Sequence, residues 1–341
     1  MTPQNRFGYY RAGTKKTFPQ QAYSIVICQI SSSGVGSLPI KPVDYVWMDG
    51  KFVKWDEAKV HVMTHCLQYG TGVFEGIRAY PTGDNLSVFR IKEHFERLLN
   101  SSKIYMMDSG YSVGDLCDAT LQLLEKNNLH GTTYVRPIIF RGFGDFGLNP
   151  TGSPVQAAIC AFPTGAYLNR KGVRVSVSTW RRVPDMSLPT AAKACGNYIN
   201  SCLAKLEAVM NGFDEAILLD YHGNLGEGSG ENVFLVKNGN IMTPAVSTSI
   251  LEGITRASVI EIAKNQGYVV TEPHILKSQL YICDELFFTG TAAEITPILE
   301  VDRRRIGDGI IGPITSKLSE IFNEIVSGKS TKYKSWLTQV Y

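Results

Sequence analysis

Two successive series of short β-rich runs and amphipathic helical segments, parted by a stretch rich in turn-forming residues after Pro163, confine this chain to a mixed α/β fold in two domains. In the first series, Tyr45–Met48 and Phe52-Val53 flank Asp49-Gly50, a two-residue hairpin signal. A strand at Ser87–Arg90 is followed by a helix from Glu93 to Tyr105, with Phe95, Leu98, Leu99 and Ser102 on one side. A second helix spans Val113 to Lys126, and β-rich runs occupy Thr132–Arg141 and Val155–Phe162. The second series has strands at Val173–Thr179, Glu215–Asp220, Asn232–Lys237 and Leu286–Phe288. Its helices span Tyr198–Met210, with Ile199, Leu203, Leu206 and Met210 on one stripe, and Thr255–Gln266. The 341 residues suffice for two domains of about 150 residues each. The expected division is an extension at 1–43, a small domain at 44–163, a linker at 164–172 and a large domain at 173–341. Such a pair places a binding groove between the domains.

The extension contains Arg6, Arg11, Lys15, Lys16 and Lys41 but no acidic residue before Asp44. Three readings stay open for it: a disordered tail, an organelle-targeting segment, or a secretion signal built on the apolar run Ala22–Ile30. Over the whole chain, 34 basic against 31 acidic residues give a net charge of +3, too small to suggest nucleic acid or an anionic membrane as partner. No apolar run is long enough for a transmembrane helix. Seven cysteines without a C-x-x-C pair suggest neither a disulfide framework nor a zinc ribbon, which favours a reducing cytoplasm.

Gly142-Phe143-Gly144-Asp145-Phe146-Gly147 matches G-x-G-x-x-G after a strand. A dinucleotide site needs a helix next, and Pro150 and Pro154 break one. The Asp145-Phe146-Gly147 within it lacks the catalytic loop of a kinase. The six histidines show no H-E-x-x-H spacing, so no metal site is expected.

Chemistry concentrates elsewhere. In Pro189–Tyr198, Lys193 stands among small residues that can desolvate its amine for attack on a carbonyl and leave room for a flat ring. Glu227 lies between glycines in Leu225–Asn232, where backbone can approach a ligand closely. Gly253-Ile254-Thr255-Arg256 opens a helix as a phosphate seat would, and Gly290–Glu294 offers a second nest of N–H donors. Taken singly, each has a plain alternative: a loop lysine, a solvated turn, an ordinary N-cap.

Taken together and in order, Tyr69–Arg78, Tyr134–Pro137, Lys193–Tyr198, Gly226–Asn232, Gly253–Arg256 and Gly290–Glu294 resemble the branched-chain amino acid aminotransferases, from Asp44 to the C-terminus. The resemblance implies the two-domain fold-type IV architecture and pyridoxal 5′-phosphate as cofactor. It implies that Lys193 anchors the cofactor covalently and then moves the proton, that Glu227 pairs with the pyridine nitrogen, and that Tyr198 bonds the phenolic oxygen. Arg97, Ile254, Thr255 and Thr291 would hold the phosphate, and Leu251 would pack on the ring. Without the resemblance, Arg97 reads as a helix-surface residue paired with Glu93.

On the substrate side, the resemblance gives the α-carboxylate to Tyr134 and to backbone donors near Thr291 and Ala292, and glutamate's side-chain carboxylate to Arg136. Tyr69, Phe74 and Tyr167 would form the apolar wall, and the loop around Phe146 and Leu148 would close a neighbouring subunit's pocket. The expected partners are amino acids and 2-oxo acids, the expected assembly a homodimer or a hexamer built as a trimer of dimers. Thr164 stands where many relatives carry Trp, which affects pocket width. The rivals are a D-amino acid aminotransferase, an aminodeoxychorismate lyase, and a non-catalytic cofactor-binding protein.

Overall fold

A computed structural model describes residues 40–165 and 167–341. The basic segment to residue 39, with its apolar run and Cys28, and Ala166 of the linker lie outside the described residues. Asp49 and Gly50 both take positive φ, 46° and 84°, as a turn matched to strand twist requires. They join Tyr45–Met48 to Lys51–Lys54 with Met48 opposite Lys51.

The first sheet runs in the order Leu337–Gln339, Asn85–Phe89, Ile77–Thr82, Thr133–Arg141, Val155–Pro163, Tyr45–Met48, Lys51–Lys54, with Gly72–Phe74 also paired to Thr133–Arg141. Helices Ile91–Ile104 and Val113–Lys126 set Phe95, Leu98, Leu116, Leu123 and Leu124 into one core with Ile77, Val88, Val135 and Ile159. Ser112 and Asp115 form a reciprocal capping box that starts the second of these helices.

The second sheet follows the order Leu225–Gly228, Glu215–Leu219, Val173–Arg181, Glu294–Val301, Glu285–Gly290, Asn232–Lys237, Asn240–Met242, Val270–Thr271. Val173–Arg181 runs parallel to both of its neighbours. Helix Tyr198–Met210 makes the crossover to Glu215–Leu219, as parallel pairing demands. It buries Ala204 and Ala208 beside Ala216 and Leu218. Small residues on that face let it lie close to the strands, so the larger Ile199, Leu203, Leu206 and Met210 are left exposed.

Three features differ from the sequence reading. Leu225–Gly228, part of the segment for which a solvated turn was the plain alternative, is a strand with a shifted register against Glu215–Leu219. The terminal strand Leu337–Gln339 pairs with Asn85–Phe89, so the end of the chain completes the first sheet. Helix Pro313–Val326, which the sequence reading passed over, joins Ile254–Asn265 in covering Phe234, Phe287 and Ile295. Residues 142–149 form no helix, in keeping with rejection of the dinucleotide motif.

Candidate active site

Lys193 is fixed through its backbone. Ala192 and Ala194 on either side are buried in the first core, and Ala194 bridges to Val73. The Lys193 carbonyl accepts from the Phe74 N–H at 3.0 Å, and its own N–H donates to the Ser101 hydroxyl at 3.1 Å. The small neighbours noted in the sequence therefore serve as docking surface. This leaves the side chain free to reach across, where Nζ donates to the Tyr198 hydroxyl at 2.8 Å. Tyr198 is placed by the first turn of its helix and meets Phe74 edge-on at 4.7 Å.

Glu227 lies on the bulged strand beneath. Its Oε1 is 2.8 Å from Arg182 Nε, while its Oε2 accepts from the Leu251 N–H and Asn232 Nδ2, both at 3.0 Å. Burial pushes this carboxyl above its usual range, against the pull of Arg182, the Leu251 N–H and the more distant Lys193 and Arg97. The three donors that face it, from Arg182, Leu251 and Asn232, favour the carboxylate form and oppose that effect of burial.

Arg97 does not pair with Glu93, which turns instead to Arg90 at 2.7 Å. Arg97 is held by Glu75, with Nε to Oε1 at 2.6 Å and a second guanidinium nitrogen to Oε2 at 2.9 Å, and donates to the Glu252 carbonyl at 2.7 Å. Burial would raise Glu75, but Arg97 and a hydrogen bond from His94 outweigh it and hold the carboxyl below the usual range.

Arg97, Lys193, Tyr198, Glu227, Leu251, Ile254, Thr255 and Thr291 all line one cleft. Helix Ile254–Asn265 opens into it with the unpaired N–H groups of its first turn. The buried Thr289 hydroxyl lines the same cleft without a hydrogen-bond partner. Cationic and N–H donors at one end, an anionic acceptor at the other and an amine at the side suit a flat phosphorylated aldehyde with a basic ring nitrogen.

An adjoining cavity is lined by Phe74, Tyr134, Arg136, Tyr167, Thr291 and Ala292, with Thr164 and Ile40 at its margin. Tyr134 and Arg136 share one face of strand Thr133–Arg141 as i and i+2, and Arg136 donates to the Tyr134 hydroxyl at 3.2 Å. Gly76 is required here, because a Cβ would come within 2.0 Å of that hydroxyl. Arg78 donates to the Ala292 carbonyl at 3.2 Å and pairs with Glu294, which braces the Thr291-Ala292 turn from behind.

Tyr69 is the site residue that the structure keeps away from the cavity. It is exposed in a separate groove, where its hydroxyl donates to the Phe146 carbonyl. The sequence reading assigned no role to Glu75, Arg182, Asn232 or Glu231. Glu75 and Asn232 stand inside motifs it quoted, but Arg182 follows a strand with no local signal of its partner.

Glu231 lines both cavities and is buried. Burial and nearby Glu215 push it up to about 8, with Lys205 opposing. A carboxyl raised in the folded state contributes stability below its ordinary value, and this is lost as pH climbs from about 4 through 8. Glu231→Gln should therefore unfold at a higher temperature than the parent at pH 8 and show little advantage at pH 5. Thermal scans at the two values check this, and an equal offset at both would contradict it.

The fold and this cleft define a pyridoxal-phosphate-dependent aminotransferase, and the sequence profile of the Amino-transferase class IV family matches residues 72–301. A probable branched-chain-amino-acid aminotransferase of Aquifex aeolicus is 46% identical over 305 residues, covering 88% of this chain and 97% of the relative. The Escherichia coli (strain K12) branched-chain-amino-acid aminotransferase is 44% identical, covering 88% and 98%. Among solved structures, the branched-chain aminotransferase of the thermophilic archaeon Thermoproteus uzoniensis, crystallised with norvaline, superposes with a TM-score of 0.85 at 47% identity, covering 88% of this chain and 100% of that one. The chain belongs to the branched-chain-amino-acid aminotransferases of class IV, with pyridoxal 5′-phosphate as cofactor.

Proposed function

We propose that this enzyme transfers the amino group of L-leucine, L-isoleucine or L-valine to 2-oxoglutarate, and back, in two half-reactions on one cofactor. The observation that carries this reading is a cavity whose walls are aromatic, Phe74, Phe162 and Tyr167, and whose cation is Arg136. An apolar side chain fits the walls, and a glutamate side chain can reach the guanidinium.

Bound pyridoxal phosphate supplies the aldehyde carbon and an electron-withdrawing ring. This chain's residues do the rest. Arg97, the N–H groups of Ile254 and Thr255, and Thr291 hold the phosphate, while Leu251 covers the ring. Glu227 keeps a proton on the ring nitrogen, which lets the ring accept electron density. Tyr198 would donate to the phenolic oxygen, and Lys193 Nζ, 2.8 Å from that hydroxyl, would be the group that anchors the cofactor and holds the proton moved in the reaction. Tyr134 and the N–H groups of Thr291 and Ala292 receive the α-carboxylate.

We also propose a homodimer as the smallest assembly, with a hexamer built as a trimer of such dimers open. The exposed stripe Ile199, Leu203, Leu206, Met210 and the exposed Phe146 and Leu148 form apolar surface that a second copy would cover. Tyr69, exposed and away from its own cavity, is assigned to that same surface. Among the described residues no helix is long and apolar enough to cross a membrane, and the six described cysteines are free, which supports a cytoplasmic enzyme.

Incubation with L-leucine or D-alanine, each with 2-oxoglutarate, tests the reading, and turnover of D-alanine alone would reject it. Arg136→Met sharpens the test by deleting the charge while keeping an apolar stem. Losing a desolvated charged pair costs about 2–5 kcal/mol, so the glutamate half-reaction should slow by roughly 30-fold or more. Leucine never meets that charge and should change far less. Equal losses in single-turnover measurements would make Arg136 a structural residue.

A further inference from the structure

Outside the machinery just described, two sulfurs meet behind the lysine. Cys66 sits in the short helix His65–Tyr69, and Cys195 stands two residues beyond Lys193. The two segments are in backbone contact, with the Gly196 N–H donating to the Gly70 carbonyl at 3.2 Å. Gly72 shows how closely the thiols are fitted. A Cβ there would lie 2.6 Å from Cys66 Sγ and 3.2 Å from Cys195 Sγ. Gly72 is not among the residues of positive φ, so backbone conformation does not call for glycine. The space a side chain would fill is taken by the two sulfurs together with Phe140 Cβ, which would lie at 3.2 Å.

We propose that Cys66 and Cys195 are a dithiol–disulfide site, closed by a hydroperoxide into a bond that fastens the Lys193 segment to helix His65–Tyr69 and slows turnover. The two thiols differ in character. Cys195 is drawn below the usual thiol range by its hydrogen bond with Cys66 and by the charge of Arg136, against the effect of burial. Cys66 is pushed up by the same hydrogen bond and by burial. Cys195 is thus the attacking sulfur and Cys66 the resolving one.

The chemistry balances with hydrogen peroxide as oxidant. The Cys195 thiolate attacks one peroxide oxygen, the O–O bond breaks, and hydroxide leaves to become water, giving a sulfenic acid. The Cys66 sulfur then attacks Cys195 Sγ. It loses its proton, and hydroxide departs as a second water. Two thiols are oxidised by two electrons and one peroxide is reduced. Cys66 and Cys195 both line one apolar groove with Leu67, Ile138 and Phe140; its edge at Ile199 belongs to the surface assigned to a second copy, so the oxidant that reaches the sulfurs has to be as small as peroxide. Cys160 lines the same groove and is the competing partner.

The test uses the full-length holoenzyme, treated with graded hydrogen peroxide, blocked with iodoacetamide and digested without reduction. The expected product joins the Cys66 and Cys195 peptides, lacks two hydrogens and disappears with dithiothreitol. Turnover should fall by about tenfold or more in step with it and recover on reduction, because a small misplacement of a catalytic group is costly. Cys66→Ala should keep the untreated activity, form no cross-link, and accumulate a Cys195 sulfenic acid that dimedone traps. The proposal fails if no such peptide forms at doses that oxidise the exposed Met186, or if Cys195 pairs with Cys160. It also fails if the cross-link leaves turnover unchanged. The peptide readout does not depend on which amino acid is the substrate, so failure here is separable from failure of the proposed function.

Discussion

Replacing Lys193 by alanine should lower transamination by about four orders of magnitude while leaving a folded protein that still takes up pyridoxal phosphate. The contacts that seat residue 193 are made by its backbone, to Phe74 and Ser101, and survive the truncation. Nζ donates to Tyr198 alone among the described residues, so its loss frees one hydroxyl and unpairs no buried charge. The donors assigned to the phosphate do not involve the lysine. Chemistry is another matter, since this amine is the nucleophile and the proton carrier at once. Equilibrium dialysis should find cofactor bound, borohydride should fail to fix it to the protein, and a small primary amine such as methylamine should restore part of the rate. Near-normal turnover in the variant would mean that another lysine does the work.

The sequence carried the local elements well because their signals are local. Asp49-Gly50 fixes a hairpin by φ alone, and Ser112 with Asp115 caps a helix within four residues. What it could not carry was pairing at long range. Arg97 lies one helical turn from Glu93, yet its partner is Glu75, in the link between strands Gly72–Phe74 and Ile77–Thr82 and presented by the fold. Nothing near residue 182 announces Glu227, 45 positions on, and nothing near residue 337 announces a place beside Asn85–Phe89. The stripe Ile199, Leu203, Leu206 and Met210 reads as a core face by periodicity. Tertiary packing chose the alanine face instead, because two parallel strands admit a helix closely only where its side chains are small. Six motifs in order identified the family, and residues of all six line the two adjoining cavities, Tyr69 excepted. The residues that orient them were silent because orientation is a property of contacts, and contacts are not written in spacing.

Glu227→Gln should lower kcat by about a hundredfold or more, with cofactor still bound but more weakly. The carboxylate accepts on both oxygens, from Arg182 on one side and from Leu251 and Asn232 on the other. An amide has a single acceptor oxygen. If its NH2 faces Arg182 it meets a cation, and if it faces Leu251 and Asn232 it meets two donors. Either way buried donors go unsatisfied, at about 1–3 kcal/mol each. The neutral group also cannot stabilise a proton on the ring nitrogen, which removes the ring's pull on electrons during proton transfer. pH separates this effect from simple damage. Burial raises Glu227, so cofactor uptake by the parent apoprotein should weaken as pH falls through a value above the ordinary carboxylate range, where the acceptor becomes protonated. The glutamine variant has no such proton to gain, and its uptake should lack that acid limb. Titrating cofactor into both apoproteins between pH 4 and 8 reads the difference, because a variant that merely fits badly would bind more weakly at every pH and keep the limb.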